Sequence, residues 1–324
     1  MQSMNKASSL AMALDPLEYE AAHGALTSKA SQLGESEFLS APDLKKVSLI
    51  GKEKQLLADL NAMDCHDLVK QDSAALMNRV DTKYLIPREH LSSLLKALSL
   101  DYSVLSENNK RIFTYETTYF DTPNKQFYHA HHNGHLNRSK VRFRRYVESN
   151  IGFMEVKRKN NKGRTIKKRV PMDCVRANDE SVKEFVGQCL VGGLSSQESK
   201  LNTSLFVNYR RITLMNKHHQ ERLTIDVDLH FQCSQSNKNR KLEELFIVEV
   251  KRHAKQQASS FSNVVQEFAL KPIKFSKYCM GLVLTDDGTL KMNRFKRILF
   301  RVEKMASLAR NTTLINNKNI IGDK

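Results

Sequence analysis

Between residues 79 and 252 the chain switches eight times into runs where charged and apolar residues alternate with a period of two. The runs are 79–86 (RVDTKYLI), 112–120 (IFTYETTYF), 138–147, 151–159 (IGFMEVKRK), 164–171 (RTIKKRVP), 205–214 (LFVNYRRITL), 221–231 (ERLTIDVDLHF) and 244–252 (ELFIVEVKR). Side chains alternate across a strand, so each run reads as a two-faced β-strand. In KVRFRRY (140–146), Lys140, Arg142 and Arg144 share one side and Val141 and Phe143 the other. The same split groups Asp81 with Lys83, Glu155 with Lys157, and Thr165 with Lys167 and Arg169. It also groups Tyr209 with Arg211, Glu249 with Lys251, and Arg222 with Thr224, Asp226 and Asp228. NNKG (160–163) reads as a hairpin turn with Gly163 free to take positive φ, and ESN (148–150) as another. Helices are expected over 88–99, 180–190, 258–269 and 289–308, with Pro87 suited to a helix start. A short helix is expected within 46–70.

A charged face turned to water is the ordinary state of an antiparallel sheet. Two features argue against it for this set. Lys and Arg dominate the polar faces, and eight antiparallel strands can close into a barrel that removes exposed edges. With the polar face inward, helices would cover the apolar outside. The expected fold is therefore α+β: an eight-stranded antiparallel β-barrel tunnel with a cationic lumen and helices packed outside. The expected domains are an N-terminal arm over 1–70, partly disordered or helical, a tunnel domain over 71–310 and a frayed tail over 311–324.

The chain carries 52 Lys+Arg against 35 Asp+Glu, a net +17, which points to a polyanionic partner. The surplus is local: residues 138–169 hold 13 Lys/Arg against 2 Glu, whereas residues 1–60 hold 6 against 8 acids. An empty cationic tunnel is costly, because two like charges ~4 Å apart repel by about 4 kcal/mol at an effective dielectric near 20. Glu155, Asp226 and Glu249 offset part of this. A linear chain of phosphates would offset more, with a divalent metal where the carboxylates gather.

Other chemistries find little support. Cys65, Cys174, Cys189, Cys233 and Cys279 form no CxxC pair, so neither a zinc site nor a disulfide framework is indicated and a reducing cytoplasm is expected. No apolar run approaches the ~18 residues of a membrane span, and SSLAMAL at the start is a poor signal peptide. SLIGKEKQ (48–55) lacks the P-loop frame. YHAHHNGHL brings His129, His131, His132 and His135 together, and reads as an exposed loop with no completing ligand. RFKRILFRVEK (294–304) reads as a basic amphipathic helix covering the barrel. A single-stranded nucleic-acid binder would interleave aromatics with the cations. There is no Trp, and Phe153 and Tyr209, two rings that share a face with charges, make a thin platform, so no nucleic-acid partner is expected.

RVDTKYLI, YETTYFDTP, NRSKVRFRRY, FMEVKRK, IKKRV, VNYRRITL, ERLTIDVDL, IVEVKR and KFSKYCMGL, in this order over residues 75–285, resemble the VTC domain. That is the catalytic domain of polyphosphate polymerases, within the triphosphate tunnel metalloenzyme (CYTH-like) superfamily. The resemblance implies an ATP-dependent polymerase that moves the γ-phosphate of ATP onto a growing polyphosphate. The alternatives are a triphosphate hydrolase of the same fold, or a non-catalytic polyphosphate or nucleotide binder. It further implies that Lys83, Arg142, Arg144, Lys157, Lys167, Arg211, Arg222 and Lys277 carry catalysis. Arg169, Tyr209, Lys251, Lys274 and Ser276 would bind substrate, and Glu249 would hold Mn²⁺ or Mg²⁺. Asp81 stands where many relatives have Glu, and Glu155 belongs to an ExK in place of the ExExK of simpler triphosphatases, which favours the polymerase branch. The first 60 residues are too short and too acidic for the phosphate-sensing domain of eukaryotic members. Any coupling to membrane transport would then need a separate membrane-protein partner.

Overall fold

The computed structural model describes residues 41–73, 79–172, 180–190, 201–253 and 259–322. Residues 1–40 of the expected arm and Cys174 lie outside them. Helix α1 (Ala41–Asn61) belongs to a first unit ending at Ala62, and a second unit begins at Met63.

All eight expected strands form in the second unit: β2 (Arg79–Pro87), β4 (Phe113–Asp121), β5 (Arg138–Tyr146), β6 (Ile151–Lys159), β7 (Thr165–Pro171), β8 (Asn202–Asn216), β9 (Glu221–Cys233) and β11 (Leu245–His253). They make one antiparallel sheet in the order β2-β11-β9-β8-β4-β5-β6-β7. Three short strands missed in the sequence extend it: β1 (Cys65–His66), β3 (Tyr102–Leu105) and β10 (Asn239–Leu242). The hairpin turn holds, with Gly163 at φ 75.

The expected closed barrel needs correction. Among the described residues no strand pairing joins β2 to β7, so the sheet ends on two edge strands. It is nevertheless strongly curled. Glu249 on β11 and Asp81 on β2 act electrostatically on the Lys157 ammonium of β6, and Lys83 of β2 acts on Lys140 of β5. Lys140 and Lys83 lie five strands apart in the sheet order, as do Lys157 and Glu249, which would be about 24 Å in a flat sheet. Repulsion among Lys83, Lys140 and Lys157 across the open seam is a physical reason for it to stay open.

Helices cover the apolar side. In α3 (Leu91–Leu98), Leu91, Leu94, Leu95 and Leu98 are buried at helical spacing, and α3 meets α6 (Ser260–Glu267). The α6 ring of Phe261 lies 5.5 Å from Tyr84, one residue from Lys83 and so on the opposite face. Behind β6, Val182 and Val186 of α5 (Glu180–Leu190) join the core of Met154 and Val156. One short helix, α2 (Leu68–Ser73), precedes β2.

Two helices were not foreseen. The histidine-rich stretch is helix α4 (Gln126–Asn133), not a loop, and His132 is buried in it. The KFSK stretch opens helix α7 (Lys277–Leu284), which packs on β8 and β9. Its Gly281 permits that approach: a Cβ there would meet Phe231 at 2.5 Å and Leu205 at 2.6 Å. Asp121, fully buried, ties these parts together. It accepts hydrogen bonds from the Phe127 and Tyr128 amides of α4 and from the Tyr278 hydroxyl of α7. The expected tail from residue 311 is instead the continuation of helix α8 (Lys296–Gly322). No helix among the described residues is long and apolar enough to cross a membrane.

Candidate active site

The alternating positions of the strands bring the cations together on the concave side of the curled sheet. Three carboxylates there each hold two of them. Glu249 pairs with Lys83 and, at 2.7 Å, with Lys251. Glu155 takes Arg142 at 2.5 Å together with Lys167. Asp226 accepts from Nε and Nη2 of the Arg211 guanidinium, at 2.6 and 2.9 Å, and also pairs with Lys277. Burial alone would raise these acids, but the adjoining cations prevail. Glu155 is held down to about 2, and Asp226 and Glu249 well below the usual carboxylate range. Burial works the other way on the amines: Lys251 is pushed down to about 8 despite Glu249, and Lys140 is lowered too.

The stretch 273–277 spans this face. The Ile273 amide donates to the Lys83 carbonyl of β2. Ser276 Oγ accepts from Lys140 Nζ of β5 at 2.8 Å, and Lys277 reaches Asp226 of β9. The segment therefore ties together two sides of the sheet that share no strand pairing. Ser276 also caps α7, accepting from the Cys279 amide.

Polar atoms buried on this face lack hydrogen-bond partners: Arg144 Nε, Thr117 Oγ1 and Tyr209 OH. Leaving such a group unpaired costs about 1–3 kcal/mol. Oxygen-rich ligands would relieve that cost.

The structure gathers nearly all the residues singled out from sequence. Lys83, Arg142, Lys167, Arg211, Lys251 and Lys277 share the acid pairs above, Ser276 belongs to the strap, and Arg144 lies over the Tyr115 ring at 5.4 Å. Lys157 is open to water near Glu249, Arg222 acts on Lys251, and Arg169 lies 4.8 Å over Phe153. Tyr209 is buried against Tyr115, with Lys277 4.3 Å over its ring. Two expectations need correction. Lys274 is exposed, because the alternation that buries Ile273 and Phe275 turns it outward. Asp228 does not share the Asp226 face: positive φ at 228 and a register shift send it to Arg210 and Arg88, on the other side from Arg211.

Sequence reading puts Lys140, Glu155 and Asp226 on the charged face without giving them a role in catalysis or binding, and leaves Tyr115 and Tyr146 out. Their parity on already recognised strands was the signal for including them. It also set the aromatic content too low, since Tyr115 and Tyr146 join Phe153 and Tyr209.

Among the described residues no group of three or more His, Cys, Asp or Glu forms a metal cage. Glu249 fits a divalent ion of another kind, one that arrives with phosphate and needs one or two carboxylates from the protein. Its two oxygens are engaged by lysines whose ammonium groups a phosphate would itself attract.

A family model for the VTC domain matches residues 78–285, well over half of the chain. The chain belongs to the VTC domain family. The match covers all of the sheet except β1, together with the strap and helix α7 of this VTC domain, so its cationic face belongs to a family acting on triphosphate or polyphosphate. Among solved structures, a candidate adenylate cyclase from Vibrio parahaemolyticus aligns over 64% of this chain and 99% of its own, at 12% identity and a TM-score of 0.38. A candidate adenylyl cyclase from Hippeastrum, described as having a dominant triphosphatase activity, aligns over 65% and 98%, at 12% identity and 0.42. Likenesses this faint carry no weight for the chemistry. No curated protein matches the chain.

Proposed function

We propose that this VTC domain is an ATP-dependent polyphosphate polymerase whose site is the concave cationic face. The observation that carries the reading is the charge count on that face. Lys83, Lys140, Arg142, Arg144, Lys157, Lys167, Arg169, Arg211, Arg222, Lys251 and Lys277 stand against Asp81, Glu155, Asp226 and Glu249. These eleven cations less four carboxylates leave a surplus of seven even before Arg79, Arg138 and Lys159, which have the same strand parity, are added, and that exceeds the charge of one nucleotide triphosphate. A second chain of phosphates, the acceptor, accounts for the remainder. A hydrolase of a single short triphosphate, whose acceptor is water, would leave that remainder unmatched.

In the reaction, a terminal oxygen of the acceptor forms a bond to the γ-phosphorus, the β–γ bridging bond breaks in line, and ADP leaves with the bridging oxygen. Such transfer needs positioning and charge neutralisation more than a protein nucleophile. Arg142, Arg144 and Arg211 offer guanidinium forks that grip phosphate oxygens in pairs, while Lys83, Lys157 and Lys277 supply point charge. The acids hold these groups in place until phosphate competes for them. Mn²⁺ or Mg²⁺, bound with the triphosphate and held by Glu249, would neutralise charge on the transferring group. The cytoplasm, and a separate membrane-protein partner, remain part of this reading.

Incubation with ATP, Mn²⁺ and a short polyphosphate primer tests it by product. Long chains growing with ADP release are expected. Stoichiometric free phosphate would favour the hydrolase, and no turnover would favour the binder. Glu249→Gln is expected to reduce turnover at least a hundredfold while tripolyphosphate still binds. Unchanged turnover would remove Glu249 from the metal.

A further inference from the structure

Four aromatic rings cross four neighbouring strands on the concave face. Tyr209 of β8 stacks on Tyr115 of β4 with centroids 5.2 Å apart and planes 14° apart. Tyr115 meets Tyr146 of β5 at 4.9 Å, and Tyr146 meets Phe153 of β6 at 5.9 Å. Arginines lie along the row: Arg211 at 4.9 Å over Tyr115, and Arg169 at 4.8 Å over Phe153. The row runs from the interior to the rim. Tyr209 and Tyr115 are buried, Tyr146 and Phe153 are half-buried, and Arg169 on the edge strand β7 is exposed. A ligand reaches the row at Phe153.

We propose that Phe153 and Arg169 form the subsite for the nucleobase of the triphosphate donor. The inference rests on the polymerase reading and adds the group that distinguishes a nucleotide from bare triphosphate. Strand register sets Phe153 opposite Arg144 and two residues from Glu155. Phe153 therefore lies one strand spacing, about 5 Å, from Arg144 and about 7 Å along the strand from the Arg142–Glu155 pair, the range a ribose spans. The Arg169 guanidinium already lies 4.8 Å over the Phe153 ring, so a flat base would stack there by displacing or sandwiching that guanidinium, which adds cation–π attraction. Ring stacking is tolerant of base identity, so ATP and GTP are expected to bind within a few-fold of each other.

The test is titration of the full chain with ATP, with tripolyphosphate and with a short oligoadenylate, for wild type, Phe153→Leu and Phe153→Tyr. In Phe153→Leu the Kd for ATP is expected to rise about tenfold while that for tripolyphosphate stays within twofold, and Phe153→Tyr restores ATP binding. Equal weakening of both ligands, or no change in either, overturns the base subsite and leaves the phosphate site standing. Failure of wild type to bind either ligand overturns both readings. Oligoadenylate bound more tightly than ATP would overturn the mononucleotide assignment in favour of single-stranded nucleic acid.

Discussion

Glu155 shows what the acids of the concave face do. Its buried carboxylate holds Arg142 and Lys167, and each partner would be repelled by its neighbours without it. Arg142→Ala removes a proposed phosphate contact and leaves the buried Glu155 carboxylate to Lys167 alone, a loss expected at the lower end of the roughly 3–5 kcal/mol typical when one partner of a buried pair is removed. We expect that variant to lose about 3 kcal/mol in urea unfolding, and the Arg142→Ala/Glu155→Gln double variant to recover more than half of it. Tripolyphosphate binding should stay weakened in both. Equal stability of the single and double variants would mean that the pair is not coupled. At this scale sequence parity placed Arg142, Arg144, Lys157 and Glu249 correctly. It could not show that Glu155 and Asp226 are each shared between two cations, because that depends on the register of β6 between β5 and β7 and on the strap that brings Lys277 to Asp226.

The elements were legible where alternation was strict and failed where it was interrupted. All eight long strands announced themselves through their two-residue period. β1, β3 and β10, with two to four residues each, are too short to show one. Helix α4 carries three histidines beside a few buried rings, so its hydrophobic stripe is narrow. Asp228 lies on a bulge, and a one-residue slip exchanges the faces beyond it. Helix α7 depends on one missing side chain. Gly281→Ala would press a methyl group into Phe231 and Leu205, both fully buried. Overpacking of this kind costs about 1–3 kcal/mol, and the urea midpoint is expected to fall with the m-value unchanged. No shift would mean that the helix moves off the sheet at little cost.

Over the whole molecule, a surplus of cations is held in a curled sheet by a few strongly acidic carboxylates. This makes stability sensitive to pH in a stated direction. Glu155, Asp226 and Glu249 have folded pKa values depressed below the unfolded range. Their contribution is complete above pH ~5 and is lost as pH falls through the folded values. For Glu155 alone, held at about 2, the loss is on the order of 3 kcal/mol between pH ~5 and 2. Thermal unfolding followed across that range should show a steep acid limb, flattened in the Arg142→Ala/Glu155→Gln variant. The overall sheet and its charged face were readable because alternation repeats along the chain. The open seam was not, since closure depends on repulsion between residues far apart in sequence. The central claim is that this face holds a chain of phosphates. It is tested most directly by calorimetric titration with orthophosphate, tripolyphosphate and a longer polyphosphate. One site per chain is expected, with affinity rising steeply with length, falling with salt and reduced at least tenfold in the Arg142→Ala/Glu155→Gln variant. Affinity independent of length, or indifferent to those substitutions, would contradict it.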